Sequence, residues 1–256
     1  MKFIVESLTS CSGCISTLLS LDIFPQFLER TEITSFPFIS DKKNLIKSDI
    51  ALVEGCVSKE SQIETLKNIR KNSTKLCALG TCAAFGGILG LSKKKRFYPI
   101  SNFVEVDFVI PGCPPPINLL GNALMNLTEN KPITLPEKNM CYSCPLKGDM
   151  KDNLNTQISR LFPSNLEINS DDDKQICFLK RGILCLGPIT RDGCDHQCIE
   201  RGIPCEGCLG PASKDFTSNL INFLSLVSLS NQLKRYDGIF NRFSKPILKR
   251  WEYCKK

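Results

Sequence analysis

The chain has 256 residues, 42% of them hydrophobic and 23% charged, a balance that excludes disorder, collagen and coiled coil. Its length allows one large domain, or a medium domain with a small one. Lysine and arginine outnumber aspartate and glutamate 33 to 26, and that formal +7 alone would point to nucleic acid or an acidic partner. Fifteen cysteines against a single histidine, His196, undercut that inference.

Lys2–Leu8 is a short β-rich run, followed by a Ser/Gly/Cys turn and a helical pattern over Ile15–Glu29. Glu32–Ile39 and Asp49–Gly55 read as the second and third strands. Glu60–Lys71 is a charged amphipathic helix, and Thr74–Gly80 a fourth strand ending in glycine. Val104–Gly112 reads as the fifth strand. Pro114–Pro116 then mark a helix start, with an apolar helix through Leu127. This alternation predicts an α/β fold over residues 1–130, a flavodoxin-like doubly wound parallel sheet. Strand order is not legible.

From residue 131 to 212 the texture changes. Residues 145–175 are polar with weak periodicity, and Cys177–Pro211 is dense in Cys, Gly and Pro. Such a segment has little apolar mass for a core and is expected to be a small irregular domain that folds around its ligands. Residues 213–256 are read as a C-terminal helix over Lys214–Lys234 and a tail. The helix's apolar side (Leu220, Ile221, Phe223, Leu224, Val227, Leu233) is expected to pack on the small domain or on another subunit.

The N-terminus shows no secretory pattern, and the apolar stretch Leu220–Leu229 is too short to span a bilayer. A cytoplasmic location is therefore expected, where thiols stay reduced, and the odd cysteine count also argues against a disulfide framework. Metal or iron–sulfur ligation follows. Three 4Fe-4S clusters on twelve thiolates would add about −6 and bring the net charge near +1. The basic signal mostly disappears.

In the first half the cysteines follow strand after strand: Cys11 and Cys14 after the first, Cys82 after the fourth, Cys113 after the fifth. The carboxyl ends of parallel strands converge on one crevice, so these four can meet around a cubane cluster. Cys56 also follows a strand, which leaves five candidates for four positions. Cys77 lies within a strand and reads as a small buried hydrophobe, and Cys254 as incidental. The second half supplies Cys141-x2-Cys144, Cys177, Cys185, Cys194-x3-Cys198 and Cys205-x2-Cys208. One or two structural zinc sites are the alternative, and scarce histidine favours iron–sulfur. His196 is expected to be a solvated loop residue, not a ligand.

Thr9-Ser10-Cys11-Ser12-Gly13-Cys14, Val53-Glu54-Gly55, Gly80-Thr81-Cys82-Ala83 and Pro111-Gly112-Cys113-Pro114-Pro115 resemble the proximal-cluster motifs of nickel–iron hydrogenase small subunits. Gly187-Pro188-Ile189-Thr190 with Cys194, and Pro204-Cys205-Glu206-Gly207-Cys208-Leu209-Gly210-Pro211, resemble that family's second domain. The related 20-kDa subunit of respiratory complex I has adjacent cysteines where Ser12 and Gly13 separate Cys11 from Cys14 here. The lack of a ferredoxin-type cysteine run sets the chain apart from the deazaflavin-reducing type. The likeness is to the cytoplasmic group, of methylviologen-reducing hydrogenase gamma and sulfhydrogenase delta type. Cys56 stands where that family has a small residue.

The resemblance implies an electron-transfer subunit without a catalytic centre of its own. It would relay electrons through three 4Fe-4S clusters between the nickel–iron site of a large subunit and an acceptor subunit, flavin-bearing or ferredoxin-like and heterodisulfide-reductase-linked in some relatives. It implies Cys11, Cys14, Cys82 and Cys113 as proximal ligands, with Cys56 a bystander. Cys194, Cys198, Cys205 and Cys208 would hold the medial cluster, and Cys141, Cys144, Cys177 and Cys185 the distal one. In standard hydrogenases the position of Cys198 is usually proline and the medial cluster is 3Fe-4S, so a fourth thiolate implies a lower-potential 4Fe-4S core. Alternatives are a complex-I-like subunit whose partner lacks nickel, and a zinc-binding interaction module. For the latter, Lys93-Lys94-Lys95-Arg96 would be the nucleic-acid patch, although that run reads as a solvated loop. Neither nucleic acid nor a membrane span is expected.

Overall fold

Along β1 (Lys2–Ser7), Phe3, Ile4 and Val5 are all buried, so this strand has no solvent face. The same holds for β3 (Ser48–Glu54) and β4 (Ser73–Leu79), whose continuous apolar runs belong to a sheet covered on both sides. With β2 (Glu32–Ser35) and β5 (Phe108–Ile110) they form a five-stranded, all-parallel sheet in the order β2-β1-β3-β4-β5. That is the flavodoxin-type order, and its switch point lies between β1 and β3. The flavodoxin-like expectation holds.

The computed structural model describes residues 1–39, 46–148, 156–164, 175–212, 216–231, 233, 239–240 and 242–243. Two compact units divide them: Met1–Thr134 with Phe243, and Leu135–Arg242. Cys254 lies outside the described residues.

Alternate residues of each strand serve two cores. Phe3, Val5, Ile50, Leu52, Cys77, Leu79 and Ile110 pack against α1 (Gly13–Leu19), α2 (Phe24–Arg30) and α5 (Ile117–Thr128), through Ile15, Leu18, Phe27, Leu120 and Leu124. Ile4, Ala51, Val53, Leu76 and Ala78 pack on the other side against α3 (Glu60–Asn72) and α4 (Gly80–Phe85), through Leu66, Ile69 and Ala83. Cys77 is fully buried in the first of these cores, as a small hydrophobe.

Three boundaries differ from the sequence expectation. The pattern over Ile15–Glu29 is two helices, because Pro25 in the first turn of α2 offers no N–H and its ring would strike the carbonyl of residue 21. The second strand stops at Ser35, before Pro37. The fifth is only Phe108–Ile110. Ahead of it a turn of 3-10 helix covers Ile100–Asn102, and the Asp107 carboxylate accepts the Leu76 N–H and pairs with Arg70 at 2.7 Å.

The second unit is mostly turns. It has a two-stranded parallel ribbon of β6 (Thr156–Ile158) and β7 (Val227–Leu229), a one-turn helix α6 (Gln197–Glu200) and α7 (Phe216–Leu226). The C-terminal helix therefore ends at Leu226 and gives way to a strand, short of the expected Lys234. Apolar mass is larger than its composition implied: Phe178, Leu179, Ile183, Leu186, Ile189 and Phe223 are all buried.

Candidate metal centres

The carboxyl edge of the parallel sheet carries the first cysteine set. Cys11 and Cys14 follow β1, Cys82 lies in the first turn of α4 after β4, and Cys113 follows β5. Two polar residues lock these loops together. Thr81 exchanges hydrogen bonds with Gly112: its N–H donates to the Gly112 carbonyl at 2.9 Å, and its hydroxyl accepts the Gly112 N–H at 2.8 Å. The register of Cys82 against Cys113 is fixed by that exchange.

Glu54, at the end of β3 and only 1% exposed, does the same for the first loop. Its Oε1 accepts the Cys14 N–H at 2.9 Å, and its Oε2 accepts the hydroxyls of Ser7 and Ser10 at 3.1 and 3.3 Å. A buried carboxylate needs such donors. Glu54 belongs to this site by geometry, a role that its motif alone does not disclose. The signal was present, in a lone acid at the end of an otherwise apolar strand.

The sulfurs rest on glycine. A methyl group on Gly80, whose φ is +81°, would lie 2.2 Å from the Cys14 sulfur, and one on Gly87 would lie 2.5 Å from that of Cys82. No side chain fits between backbone and thiol at either position.

The thiols also feel one another. Burial pushes Cys82 up to about 12, and the nearness of Cys56, Cys113, Cys11 and Glu54 adds to the rise. Cys14 is raised by burial first, then by Glu54, Cys82 and Cys113, and Cys113 by burial and Cys11. Cys14, Cys82 and Cys113 therefore resist ionising without a compensating positive centre. An iron–sulfur core meets that need, and an exposed Cys11 and Cys113 leave it open on one side. Cys56 is close by, fully buried, with its thiol donating to the Thr9 carbonyl at 3.4 Å and its backbone paired with Thr9.

In the second unit a cavity of about 400 Å³ is lined by Cys141, Cys144, Cys177, Cys185 and Cys205, with Phe178 and Phe223 among its walls. The Cys141 and Cys185 sulfurs lie 3.1 and 3.6 Å from the one point where a Gly187 methyl would stand. Burial raises Cys141, and its neighbours Cys185, Cys144 and Cys177 raise it further. The four expected distal residues thus meet in one place.

Backbone N–H groups face these sulfurs at a repeated offset. Those of Leu146, Gly187, His196 and Gly207 approach the thiols of Cys144, Cys185, Cys194 and Cys205, each two residues ahead. Donors so placed lower a thiol's pKa and stabilise a bound thiolate. Burial still takes Cys185 up to about 12.

The expected medial set is less fully gathered. Cys194 has Cys198 as its thiol neighbour. The foremost thiol neighbour of Cys205 is Cys185, ahead of Cys208, and the Cys205 N–H donates to the Cys185 sulfur at 3.4 Å. Cys205 therefore lies against the other set as well. Among the described residues no three His, Cys, Asp or Glu side chains converge to the spacing of a single metal ion.

His196 is not solvated. It is 8% exposed, with backbone φ +54°, and its Nε2 lies 3.0 Å from the Met140 carbonyl, a geometry in which the ring donates. The turn between Cys194 and the exposed Cys198 places His196 against Met140.

The sequence family described as NADH ubiquinone oxidoreductase, 20 kDa subunit, matches residues 11–127. One subunit of an F420-non-reducing hydrogenase from Methanocaldococcus jannaschii is 32% identical, over 93% of this chain and 96% of that relative. The delta subunit of sulfhydrogenase 2 from Pyrococcus furiosus is 30% identical, over 95% and 100%. Among solved structures, the [NiFeSe] hydrogenase of Desulfovibrio vulgaris Hildenborough shares the fold with a TM-score of 0.57 at 20% identity, over 85% of this chain and 96% of that one. An actinobacterial-type NiFe-hydrogenase from Ralstonia eutropha H16 does so with 0.58 at 13%, over 99% and 90%. No described helix is long and apolar enough to cross a membrane. Sheet order, cysteine placement and near-full-length similarity agree, and the chain belongs to the nickel–iron hydrogenase small-subunit family, whose members act in electron relay.

Proposed function

We propose that this chain relays electrons through three 4Fe-4S clusters, between a large subunit that holds a nickel–iron site and an acceptor subunit that is flavin-bearing or ferredoxin-like. The observation that supports it most is the convergence of Cys11, Cys14, Cys82 and Cys113 on one sheet edge, locked by Glu54 and Thr81. Bound there, a cluster would supply a one-electron couple. The chain's own work is positional. Gly80 and Gly87 admit the sulfurs, Glu54 anchors the Cys14 amide, and the second unit aims N–H groups at the thiols of Cys144, Cys185, Cys194 and Cys205.

In this reading Cys141, Cys144, Cys177 and Cys185 hold the distal cluster, and Cys194, Cys198, Cys205 and Cys208 the medial one. The large subunit would cover the edge where Cys11 and Cys113 are exposed. The protein would work in the cytoplasm. A complex-I-like role with a nickel-free partner draws on the family description over residues 11–127. Against it stands the Ser12-Gly13 spacer between Cys11 and Cys14, the feature that resembles the hydrogenase side.

Anaerobic metal and labile-sulfide analysis of the chain purified with its partner tests the reading. About twelve irons with equal sulfide per chain is the expected result. Zinc without sulfide would end it.

A further inference from the structure

Tyr142 lies between Cys141 and Cys144, yet it is 57% exposed, although a tyrosine ring gains by burial. Two cations are gathered on it. The Lys138 ammonium stands 3.3 Å from the ring centroid and that of Lys147 5.6 Å from it. Lys147 is brought there by the turn that follows the second cysteine, where its N–H donates to the Cys144 carbonyl at 3.1 Å. Tyr142, Lys147 and Lys180 also line the cavity that holds Cys141, Cys144, Cys177 and Cys185. Among the described residues, Asp192 accepts from the Ser143 hydroxyl and the Gly193 N–H and also raises the Cys144 thiol, while Glu137 lies by Arg191.

We infer that Tyr142, Lys138, Lys147 and Lys180 form the docking surface for an acidic one-electron carrier protein, seated over the Cys141–Cys185 cavity. The inference rests on the relay reading and adds to it the exit surface and the charge of the partner. An exposed aromatic flanked by positive side chains has the composition of an interface anchor with a charged rim. Positive potential at the rim speeds encounter with a negative partner and repels a positive one. A cluster held by Cys141, Cys144, Cys177 and Cys185 would supply one electron and the carrier's iron–sulfur or flavin group would take it, with no bond made or broken.

The test uses the assembled, cluster-loaded complex with three acceptors: an acidic plant-type ferredoxin, the basic cytochrome c, and a viologen dye. Lys138→Glu should raise the KM for ferredoxin several-fold and flatten its fall in rate with salt. Iron content, cluster EPR and dye reduction should match the parent. If Lys138→Glu loses iron, Lys138→Gln reads the same salt slope with a smaller loss. An unchanged ferredoxin KM and salt slope with full iron, or a parent that prefers cytochrome c, overturns the docking surface and leaves the relay standing. A parent lacking iron and sulfide ends both.

Discussion

The two units hold thiols by opposite means. At the sheet edge, strands with cores on both faces deliver Cys11, Cys14, Cys82 and Cys113, and a few side-chain bonds lock the loops. In the second unit the regular elements are short, and turns deliver the thiols, four of them (Cys144, Cys185, Cys194 and Cys205) steered by an N–H two residues ahead. A site built on a rigid sheet can pre-exist its ligand, whereas a site built on turns depends on its ligand for folding free energy.

Iron removal should therefore separate the two most sharply. In the cluster-free chain, β1, β3 and β4 should retain slow amide exchange, while residues 177–212 exchange at least a hundredfold faster, on the order of 3 kcal/mol of lost protection. The exposed Cys11–Cys113 edge should also leave the chain poorly soluble without its partner. Equal protection in both regions, or a soluble chain with one cooperative melt, would break the comparison.

Gly80→Ala attacks the rigid edge at its tightest point. The new methyl would stand 2.2 Å from the Cys14 sulfur on backbone at φ +81°, a strain of about 1–3 kcal/mol before any repacking. The sheet survives that, but the thiol cannot stay where it is. The expected outcome is a folded chain lacking about four of its irons, as in Cys82→Ser, which should also block electron exit from the nickel site. Full iron in Gly80→Ala would mean that the edge adapts as freely as the turns.

Cys198→Pro probes a turn-built site without breaking the turn. Cys198 sits in the first turn of α6, where proline's missing N–H costs little, and its carbonyl still accepts the N–H groups of Arg201 and Ile203. The expected result is one cluster converted to a 3Fe form, with an EPR signal in the oxidised state and a higher potential. Such a signal from Cys185→Pro instead would redraw the two sets, which the Cys205 N–H on the Cys185 sulfur makes a pointed comparison.

Legibility in the sequence followed the same division. Strands and their cysteines could be placed because continuous apolar runs ending in glycine have few other meanings. The split of the first helix hung on one proline, and the short fifth strand on Asp107 taking up the Leu76 N–H. In the second unit, composition described the texture and missed the packing. Residues such as Phe178 and Ile183 are few in sequence but buried in the fold, and Phe178 walls the cavity. His196 departs from expectation for the same reason, since its burial comes from Met140, 56 residues away, and no local pattern records that contact. Glu54 was visible as a residue, but its role needed three partners from the first loop.

Cys56→Ala is the mildest test and the one that separates nearness from ligation. Cys56 is close enough to Cys82 to raise it, and it follows a strand as the expected ligands do. Its position, however, is held by the backbone: its N–H and carbonyl exchange bonds of 3.0 and 3.1 Å with Thr9, and alanine keeps both. What alanine removes is one fully buried sulfur and its bond to the Thr9 carbonyl, about 0.5–1.5 kcal/mol of stability. Iron content and the proximal EPR signal should then stay at the parent's level, with only a small drop in melting temperature. Loss of about four irons would make Cys56 a ligand and displace one of Cys11, Cys14, Cys82 or Cys113 from that role.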